Sequence, residues 1–427
     1  MKAAWVTGAL CAATMDMWLS PAAMAQTPPE MRAAAPLSDS FDAGNSCVPG
    51  DAADRSEGRG SWNFTWENDA IAAFSGSDEF YTQGIRLGYD FATGASPRWL
   101  AAQAYPLCSA VERLLDIGRP EQDRRGWTSG VYLGQHIFTP GVLSEPNLIP
   151  DDRPYAGWLY LGERISVRSV LDERRVNYHA FDLQIGLVGP QAQGEWAQRD
   201  FHKLIGDELP LGWDNQVPNE PHVFASYRFT RRNLVNTRDA AIEVDWMPAY
   251  EIGLGTLQVY AEPSLTLRIG RALGEPPMGN LNPRAPIATG GLASRASEGF
   301  DARASEKKCA TGWGPFAIEE CFIYGRIAGR AVAHNVFLDG TVWHDSHSVD
   351  KDPFFYDWAV GFRLRWRTIE MDYEFVRRSR EFSPVPATAS NDRGTHDYGS
   401  LSVQCREWLG WACPTFFGLL LSAVAAQ

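Results

Sequence analysis

The stretch AVGFRLRWR, from Ala359 to Arg367, decides the fold, because apolar and charged residues alternate along it. A period of two is the signature of a β-strand with one apolar and one polar face. The same alternation is found in AIEVDWMPAY, from Ala241 to Tyr250, and in EMDYEF, from Glu370 to Phe375. A soluble sandwich would bury the apolar face, whereas a membrane barrel turns it towards lipid and keeps the charges in its lumen. The many arginine and acidic residues on the second face favour the barrel.

About twelve segments alternate in this way, and bacterial outer-membrane barrels have even numbers of strands. We therefore predict an all-β fold, a transmembrane antiparallel β-barrel of about 12 strands that spans residues 61–408. The predicted strands are 61–68, 82–92, 128–138, 155–168, 178–188, 222–231, 240–250, 256–269, 319–338, 356–367, 369–379 and 397–408.

The connections between these strands are unequal in length. Tight turns are predicted at 251–255 and around residue 368, and long connections at 93–127, 139–154, 189–221 and 270–318. Long connections on alternate turns are typical of extracellular loops, and we assign these four to that side. The residues from Gln193 to Leu204 include good helix formers and no proline. A short helix that ends at Gly206 is therefore expected near the extracellular mouth.

The first residues have the form of a secretory signal. Lys2 precedes an apolar stretch, and Ala23-Met24-Ala25 fits the small-x-small cleavage rule, so residues 1–25 are predicted to be a signal peptide. The alternative is a retained anchor helix, but the apolar stretch is short and contains Asp16, which is costly in a membrane. Residues 26–60 read as a flexible leader, and residues 409–427 form a C-terminal extension of unknown role.

The composition narrows the range of partners. Aromatic residues make up 12% of the chain and include 16 tryptophans, which suits aromatic girdles at two membrane interfaces. The net charge of -13 argues against a nucleic-acid partner, which requires a basic face. Cys309 and Cys321 flank a Gly-Trp-Gly-Pro turn and are the most plausible disulfide pair. No CxxC motif occurs, so a structural zinc site is not expected.

Polar residues gather where the first predicted strand ends and the second begins. Asn68 and Asp69 end the first strand, and Thr82 opens the second. Because adjacent antiparallel strands meet at one rim, these side chains should lie together. Carboxylate and amide oxygens suit a hard cation such as Ca²⁺. The alternative is an Asn-Asp turn at a strand end, a role for which both residues are well suited.

Two further stretches carry candidate residues. Arg153, in the Asp151 to Trp158 stretch, is a candidate to order the rim through a carboxylate pair or to bind a phosphate. A salt bridge in the lumen is the commoner outcome for such an arginine. In the predicted loop helix, Glu195, Gln198, Arg199 and His202 share one face at helical spacing. His202 is a candidate base for water, although a histidine on a loop helix is more often a surface residue.

Several catalytic motifs are absent from the sequence. There is no GxSxG elbow for a serine nucleophile, no HExxH zinc motif and no glycine-rich phosphate loop. The chemistry that remains is water activated by a histidine, with a metal or amide donors stabilising the oxyanion.

These stretches, taken in order, resemble the outer-membrane lipid A 3'-O-deacylase family. The resemblance covers the chain from about Trp62 to Trp408 and depends on the order and spacing of short motifs, each weak alone. The motifs are Glu67 to Asp69, Tyr81 to Tyr89, Asp152 to Trp158, Gly186 to Pro190, the Gln198, His202 and Gly206 run, Gly212 to Gln216, Asn219-Glu220 and Asn335 to Gly340.

The resemblance implies a twelve-stranded barrel that removes an acyloxyacyl group from lipid A with Ca²⁺ dependence. The active site would lie between the barrel wall and a loop helix near the outer leaflet. Asn68 and Asp69 match the family's Asn-Asp pair, Thr82 the threonine of its second strand, and His202 the histidine that activates water. Glu208 matches a downstream acidic position.

In the resulting hypothesis, His202 is the general base, and Asp69, with Asn68, Glu208 and Thr82, holds calcium at the ester carbonyl. Arg153, Arg199 and Lys203 would meet the substrate phosphates, and the protein would act as a monomer on lipopolysaccharide in the outer leaflet.

The chain departs from the family pattern at two positions that concern substrate recognition. The family's lysine after the third strand is missing from Thr139 to Pro150, and Leu209-Pro210 stands where the family has a tyrosine after the helix.

Two other functions stay open. One is a Ca²⁺-dependent phospholipase-like barrel, which would use a serine nucleophile that no motif here supplies. The other is a non-catalytic pore or structural barrel, with which a charged lumen is compatible.

Overall fold

The computed structural model describes residues 60–72, 80–91, 96–114, 124–206, 208–236, 241–277, 309, 318–366, 369–383 and 394–406. The predicted signal peptide, the leader up to residue 59 and the C-terminal extension 409–427 lie outside these residues and stay predictions. Cys309 and Cys321 form a disulfide bond, as predicted. No helix in the described ranges is long and apolar enough to cross a membrane.

The fold is a closed barrel of twelve antiparallel strands, which confirms the predicted architecture. Its strands are β1 (Ser61–Asn68), β2 (Phe80–Asp90), β3 (Arg124–Thr139), β4 (Ala156–Val170), β5 (Arg175–Val188), β6 (Glu220–Leu234), β7 (Glu243–Gly255), β8 (Gln258–Arg271), β9 (Glu320–Asn335), β11 (Phe354–Trp366), β12 (Ile369–Arg378) and β14 (His396–Arg406). Two short strands, β10 (Asp350–Lys351) and β13 (Phe382–Ser383), pair with each other outside the barrel sheet. The barrel closes where β1 pairs with β14.

The helices of the described residues lie in the connections. They are α1 (Arg98–Leu114), α2 (Gly194–Ile205) and the one-turn α3 (Val336–Asp339). Helix α2 confirms the predicted loop helix and ends at Gly206, whose φ of 74° is the left-handed conformation that glycine adopts most readily. Helix α1 was not expected, because the sequence analysis read 93–127 as a loop.

Two predictions about the connections were wrong. The tight turn between β7 and β8 lies at residues 256–257, and residues 251–255 continue strand β7. We call the end of the barrel where β1 ends the upper end, and the opposite end the lower end. Strands β3 and β5, which precede connections 139–154 and 189–221, end at the upper end, but β2 and β8, which precede 93–127 and 270–318, end at the lower end. Strands run alternately up and down, so the strand number, and not the loop length, decides the side.

The barrel wall separates apolar from charged residues as the alternation predicted. Outward side chains such as Leu161 and Ile323 are 67% and 62% exposed, as expected for residues that face lipid. Lumen side chains are buried and paired: Arg363 lies 2.6 Å from Asp372, with neither side chain more than 4% exposed. An arginine buried in this way needs a carboxylate partner and hydrogen bonds, because an unpaired buried charge is costly.

A short segment after β8 folds into the lower part of the lumen. Arg268 and Arg363 both donate to the backbone carbonyl of Glu275, and Arg363 also donates to that of Pro276. The Glu275 carboxylate lies 3.3 Å from Arg168. Ion pairs and this segment thus occupy part of the lumen in the described residues.

Candidate active site

Helix α2 presents a buried face to the outside of the barrel wall. Gly194, Gln198 and His202 recur every four residues and are buried, whereas Trp196 and Lys203 on the opposite side are exposed. Residues four apart lie above one another on a helix, so the three buried positions form one stripe. His202 is therefore buried, which excludes the alternative reading of it as a surface residue.

Contacts along α2 show that it crosses several strands of the wall. A Cβ built on Gly157 of β4 would lie 3.3 Å from the nitrogen of Gly194, so the helix begins against β4. Its later residues pack against two outward-facing clusters. Ala197 packs against the cluster of Ile137, Leu143, Tyr155 and Trp213, and Phe201 against the cluster of Phe64, Trp66, Val403 and Cys405. A 12-residue helix is about 18 Å long, and three strand spacings from β4 to β1 are about 14 Å. The helix therefore passes over β3 and β2.

The wall in the region that α2 crosses carries polar side chains on its outward face. Glu67 and Tyr81 point into the lumen, where the tyrosine hydroxyl donates to the carboxylate at 2.6 Å. Asn68, the next residue after Glu67, therefore faces outward. Thr82 lies in a β-bulge between Tyr81 and Gln83, which breaks the regular register with β3. Bulges of this kind re-aim a side chain and are common beside active sites.

Asn68 links the two strands and begins a turn. Its side-chain nitrogen donates to the carbonyl of Thr82 at 2.9 Å, and its side-chain oxygen accepts from the backbone N–H of Ala70 at 2.8 Å. The second bond caps a 3₁₀ turn, Asp69–Ile71, in which Asp69 is buried. The Asn-Asp turn of the alternative reading is therefore present, and Asn68 contacts Thr82 directly, while Asp69 is the next residue in the turn.

The last part of the barrel holds the same turn from the other side. Tyr373 of β12 donates its hydroxyl to the carbonyl of Ile71 at 2.7 Å. Gly399 of β14 pairs with Asn68, and a Cβ at Gly399 would come within 2.4 Å of the Ile71 carbonyl oxygen. Only glycine leaves room for this backbone contact, so the turn position is defined by both β1 and β14.

Thr139 at the end of β3 is a neighbour that the sequence analysis missed. Its hydroxyl lies 2.8 Å from that of Thr82, and both side chains are buried. A buried threonine on an outward position of a lipid-facing wall departs from the apolar pattern. That departure is the signal in the sequence that would have identified Thr139.

The ring of His202 is oriented by a backbone carbonyl. Its Nδ1 lies 2.5 Å from the carbonyl oxygen of Glu208, and the side chain is buried. A carbonyl only accepts hydrogen bonds, so Nδ1 carries the proton and Nε2 is the basic nitrogen of the neutral ring. Glu208 thus reaches His202 through its main chain, while the residue itself is exposed.

The loop after α2 also stabilises the helix position. Trp213 donates its indole N–H to the side-chain oxygen of Gln198 at 2.9 Å, and its ring packs on Tyr155 with centroids 4.8 Å apart. Both Trp213 and Gln198 are buried. A buried polar group that loses its partner costs about 1–3 kcal/mol, so this bond helps to define where α2 lies.

Arg199 and Lys203 do not share the buried stripe with Gln198 and His202. Arg199 pairs with Glu195 at 2.6 Å, and Lys203 with Asp200 at 3.2 Å, with both pairs well exposed. Exposed pairs of this kind are worth roughly 0–1 kcal/mol, so either cation can exchange its partner for a phosphate at little cost. The predicted common face of Glu195, Gln198, Arg199 and His202 is therefore split into a buried stripe and a half-exposed flank.

Arg153 lies inside the upper rim. Its guanidinium is 3.3 Å from the carboxylate of Glu381 and stacks 4.8 Å from the ring centre of Phe138. Burial lowers the pKa of Arg153, against the opposing charge of Glu381. Burial alone would raise the pKa of Glu381, but the charges of Arg378 and Arg153 outweigh it and hold that pKa below its ordinary value. This is the carboxylate pair that the sequence left open, and it does not favour a phosphate-binding role.

The donor set at the rim fits calcium better than a transition metal. Asp69, Asn68 and Thr82 offer only oxygen atoms, and the amide oxygen of Asn68 keeps a second lone pair after its bond to Ala70. Within the described ranges, no group of three or more His, Cys, Asp or Glu side chains is placed to hold a metal ion. A cation here would therefore be held by one carboxylate and neutral oxygens.

Comparison with known proteins places the chain in a family. The family model described as outer membrane protein LpxR matches residues 31–406. LpxR from Salmonella typhimurium has a similar structure, with a TM-score of 0.56 and 16% identity over 81% of this chain and 99% of that one. The β domain of the Bordetella autotransporter Brka gives a TM-score of 0.39 at 8% identity, over 82% and 100% of the two chains. No curated protein is detectably similar in sequence.

The structural likeness at this identity shows the fold, and the family model carries the assignment. It spans most of the chain, from before the first strand of the barrel to the end of β14. This protein therefore belongs to the outer membrane protein LpxR family, whose activity is that of a lipid A 3'-O-deacylase, an ester hydrolase of the outer membrane.

Proposed function

We propose that this protein hydrolyses an ester-linked acyloxyacyl group of lipid A with water that His202 activates. The observation that carries this mechanism is the bond between His202 Nδ1 and the Glu208 carbonyl, which leaves Nε2 as the basic nitrogen of a buried ring. His202 lies on the side of α2 that faces the wall, and this wall bears Asn68, Asp69 and Thr82. Ester hydrolysis by water requires a base oriented in this way.

The first step is the attack of water on the ester carbonyl. Nε2 of His202 takes one proton from the water as its oxygen bonds to the carbonyl carbon, and the carbonyl oxygen becomes an oxyanion. The intermediate then collapses: the bond to the alcohol oxygen breaks, and the protonated His202 returns its proton to that oxygen. The products are an acyloxyacyl fatty acid and lipid A with a free hydroxyl group.

The wall supplies the second part of the chemistry. We assign Asp69, with the side-chain oxygens of Asn68 and Thr82, as the residues that would hold calcium. When bound there, calcium polarises the ester carbonyl and stabilises the oxyanion. Asn68 also donates a hydrogen bond to the Thr82 carbonyl, and the Thr82 hydroxyl bonds to that of Thr139. These bonds fix the positions of the side chains at this rim. Glu208 is assigned to orienting His202 through its carbonyl, in place of the metal role expected from sequence.

The exposed flank of α2 is suited to the substrate headgroup. Arg199 and Lys203 lie on the side of the helix that faces away from the wall, where the phosphates of a lipid A molecule would approach. We assign Arg199 and Lys203 to phosphate binding. Arg153 is assigned a structural role, in its ion pair with Glu381. All of these residues come from one chain, so we infer that the monomer is active.

The alternatives are less well supported. A phospholipase-like mechanism needs a serine nucleophile, whereas the two hydroxyls that the described residues bring together at this rim belong to Thr82 and Thr139 and bond to each other. A pore needs an open lumen, whereas the lumen here holds buried ion pairs and the segment around Glu275.

The decisive experiment is mass spectrometry of lipid A from cells with expression on and off, repeated with calcium chelated. Expression should remove one acyloxyacyl group, and chelation should prevent the loss. His202→Gln should abolish it, while His344→Gln, a change at an exposed histidine outside the site, should have no effect. A folded His202→Gln variant with unchanged hydrolysis would exclude His202 as the base. Phospholipid loss with intact lipid A would favour the phospholipase instead.

A further inference from the structure

Helix α1 packs on the outside of the barrel, at its lower end. Ala104, Cys108 and Val111 are buried on one side of the helix and contact the wall. The wall residues in this cluster are Trp127 of β3, Ile165 and Val167 of β4 and the half-buried Phe181 of β5. Their lumen-facing neighbours include Arg164, which pairs with Asp90 inside the barrel, so Ile165 and Val167 face outward.

Elsewhere on the barrel, outward residues of this kind face lipid. On β8, every second residue from Ala261 to Ile269 is exposed, a stretch of about 26 Å at 3.3 Å per residue. On β3, by contrast, only Leu133 is exposed among the outward residues whose side chains are described, and Trp127, Ser129, Ile137 and Thr139 are buried. Helix α2 crosses β3 near its upper end and α1 covers its lower part, so the wall under the site has a short lipid-facing window.

The outer side of α1 resembles a membrane surface more than a water-facing one. Its exposed residues include Trp99 and Tyr105, at 47% and 39% exposure, together with Ala102 and Pro106. Arg98 is the one charged residue among the exposed α1 side chains that the structure describes. A helix in water would carry a charged outer face, whereas tryptophan and tyrosine are enriched at membrane interfaces.

A carboxylate on the wall marks the height at which α1 lies. Glu163 of β4 points outward, two residues from the fully lipid-facing Leu161, and accepts a hydrogen bond from Gln103 of α1 at 3.4 Å. An acidic side chain on the lipid face is costly near the bilayer centre and tolerated near an interface. Gln103 thus pairs with Glu163 where the apolar band gives way to the headgroup region.

We propose that α1 lies in the headgroup region of the lower leaflet and binds phospholipid through Trp99, Ala102, Tyr105 and Pro106. The occupant is phospholipid because the outer side of α1 continues the lipid-facing wall that α1 itself covers. Beneath the candidate site, the helix replaces the lipids that would otherwise line β3 to β5. This inference does not depend on the proposed chemistry.

The test places a nitroxide label at the centre of the outer side, in an Ala102→Cys variant reconstituted in phosphatidylethanolamine–phosphatidylglycerol vesicles. Collision with oxygen and with a water-soluble nickel complex is measured by electron paramagnetic resonance. Leu161→Cys is the lipid-facing control, and Glu173→Cys, in the exposed turn at the same end, is the water-facing control.

The ratio of the collision rate with oxygen to that with the nickel complex should be severalfold higher at position 102 than at position 173. It should approach the ratio measured at position 161. A ratio equal to that at 173 would overturn the proposal. So would protection from both reagents, which would mean that protein covers α1. If the added cysteine disturbs the native disulfides, p-benzoylphenylalanine at position 102 serves instead. It should form severalfold more phospholipid adduct on irradiation than at position 173, and equal yields would likewise refute lipid contact.

Discussion

The contact between Gly194 and the wall offers a way to move α2 without touching any group that takes part in the chemistry. In Gly194→Ala, the added Cβ would lie 2.6 Å from Cη2 of Trp213 and 3.3 Å from Cα of Gly157. Trp213 cannot rotate away easily, because its indole donates to Gln198 and its ring packs on Tyr155. The helix itself gains intrinsic stability from alanine, so the barrel should remain folded.

The size of the displacement follows from the contact distance. Carbon atoms pack best about 3.5–4.0 Å apart. The Cβ therefore needs about 1 Å more space than it has, and the helix must move outward by roughly that amount. A misplacement of about 1 Å can lower a rate about 100-fold, equivalent to about 2.7 kcal/mol of activation free energy. We expect kcat for lipid A deacylation to fall roughly ten- to hundredfold.

A graded series makes the prediction sharper. Gly157→Ala adds a Cβ to the same contact from the side of the wall. This Cβ would lie 3.1 Å from the Ala192 Cβ, so the helix needs to move by only a few tenths of an ångström and the loss of activity should be smaller. Gly329→Ala on β9 is the matched control, since nothing lies within 4 Å of its Cβ. The assay is release of fatty acid from purified lipid A in mixed micelles, with barrel folding checked by heat-modifiable gel migration.

The outcome that would refute the reasoning is a folded Gly194→Ala enzyme as active as Gly329→Ala. Such a result would mean that the position of α2 against the wall is irrelevant to turnover, and that His202 does not act on a substrate held there.

Four further outcomes follow from the geometry. Thr139→Val should lower kcat about tenfold by removing the partner of Thr82, and Thr139→Ser should restore it; equal activity of the two variants would exclude the hydroxyl. Arg153→Met should destabilise the barrel by about 3–5 kcal/mol, measured as the unfolding transition in denaturant, without changing KM for lipid A. The lowered pKa of Glu381 contributes stability that is present above the unfolded-state value of about 4.3 and lost as the pH falls below it, so Glu381→Gln should flatten the acid limb of the stability curve. In planar bilayers the protein should pass no steady current, because ion pairs and the segment around Glu275 obstruct the lumen.

The strands could be predicted from the sequence because a barrel wall has a different solvent on each side. Alternation of the kind seen from Ala359 to Arg367 can satisfy both sides only as a strand, so segment positions were correct to within a few residues. The sides of the loops were not predicted correctly, because they were assigned from loop length. The side depends on whether an odd- or an even-numbered strand precedes the loop, and the length of a loop such as 270–318 contains no information on that. Helix α1 was missed because Pro106 lies in its interior, where a proline usually ends a helix, although the apolar stripe Leu100, Ala104 and Cys108 keeps helical spacing.

The site was predictable where its residues are close along the chain. Asn68 and Thr82 lie on one hairpin, so strand pairing alone brings them together. His202 belongs to another loop, and its place depends on how closely two glycines allow α2 to approach β4. Arg153 was ambiguous for a similar reason: the residue that decides its role, Glu381, lies 228 positions away in the sequence.

The turn that carries Asp69 has a consequence for the maturation of the enzyme. It belongs to the first strand of the barrel but is held in place by Tyr373 and Gly399, which the chain supplies last. A barrel still open between β1 and β14 would already possess His202 and its helix, yet it would lack the surface that faces them. We expect hydrolytic activity to appear only when the seam closes, in step with heat-modifiable migration during assembly. The enzyme would then be silent throughout its transit to the membrane and become competent at the moment of insertion, with no separate activation step.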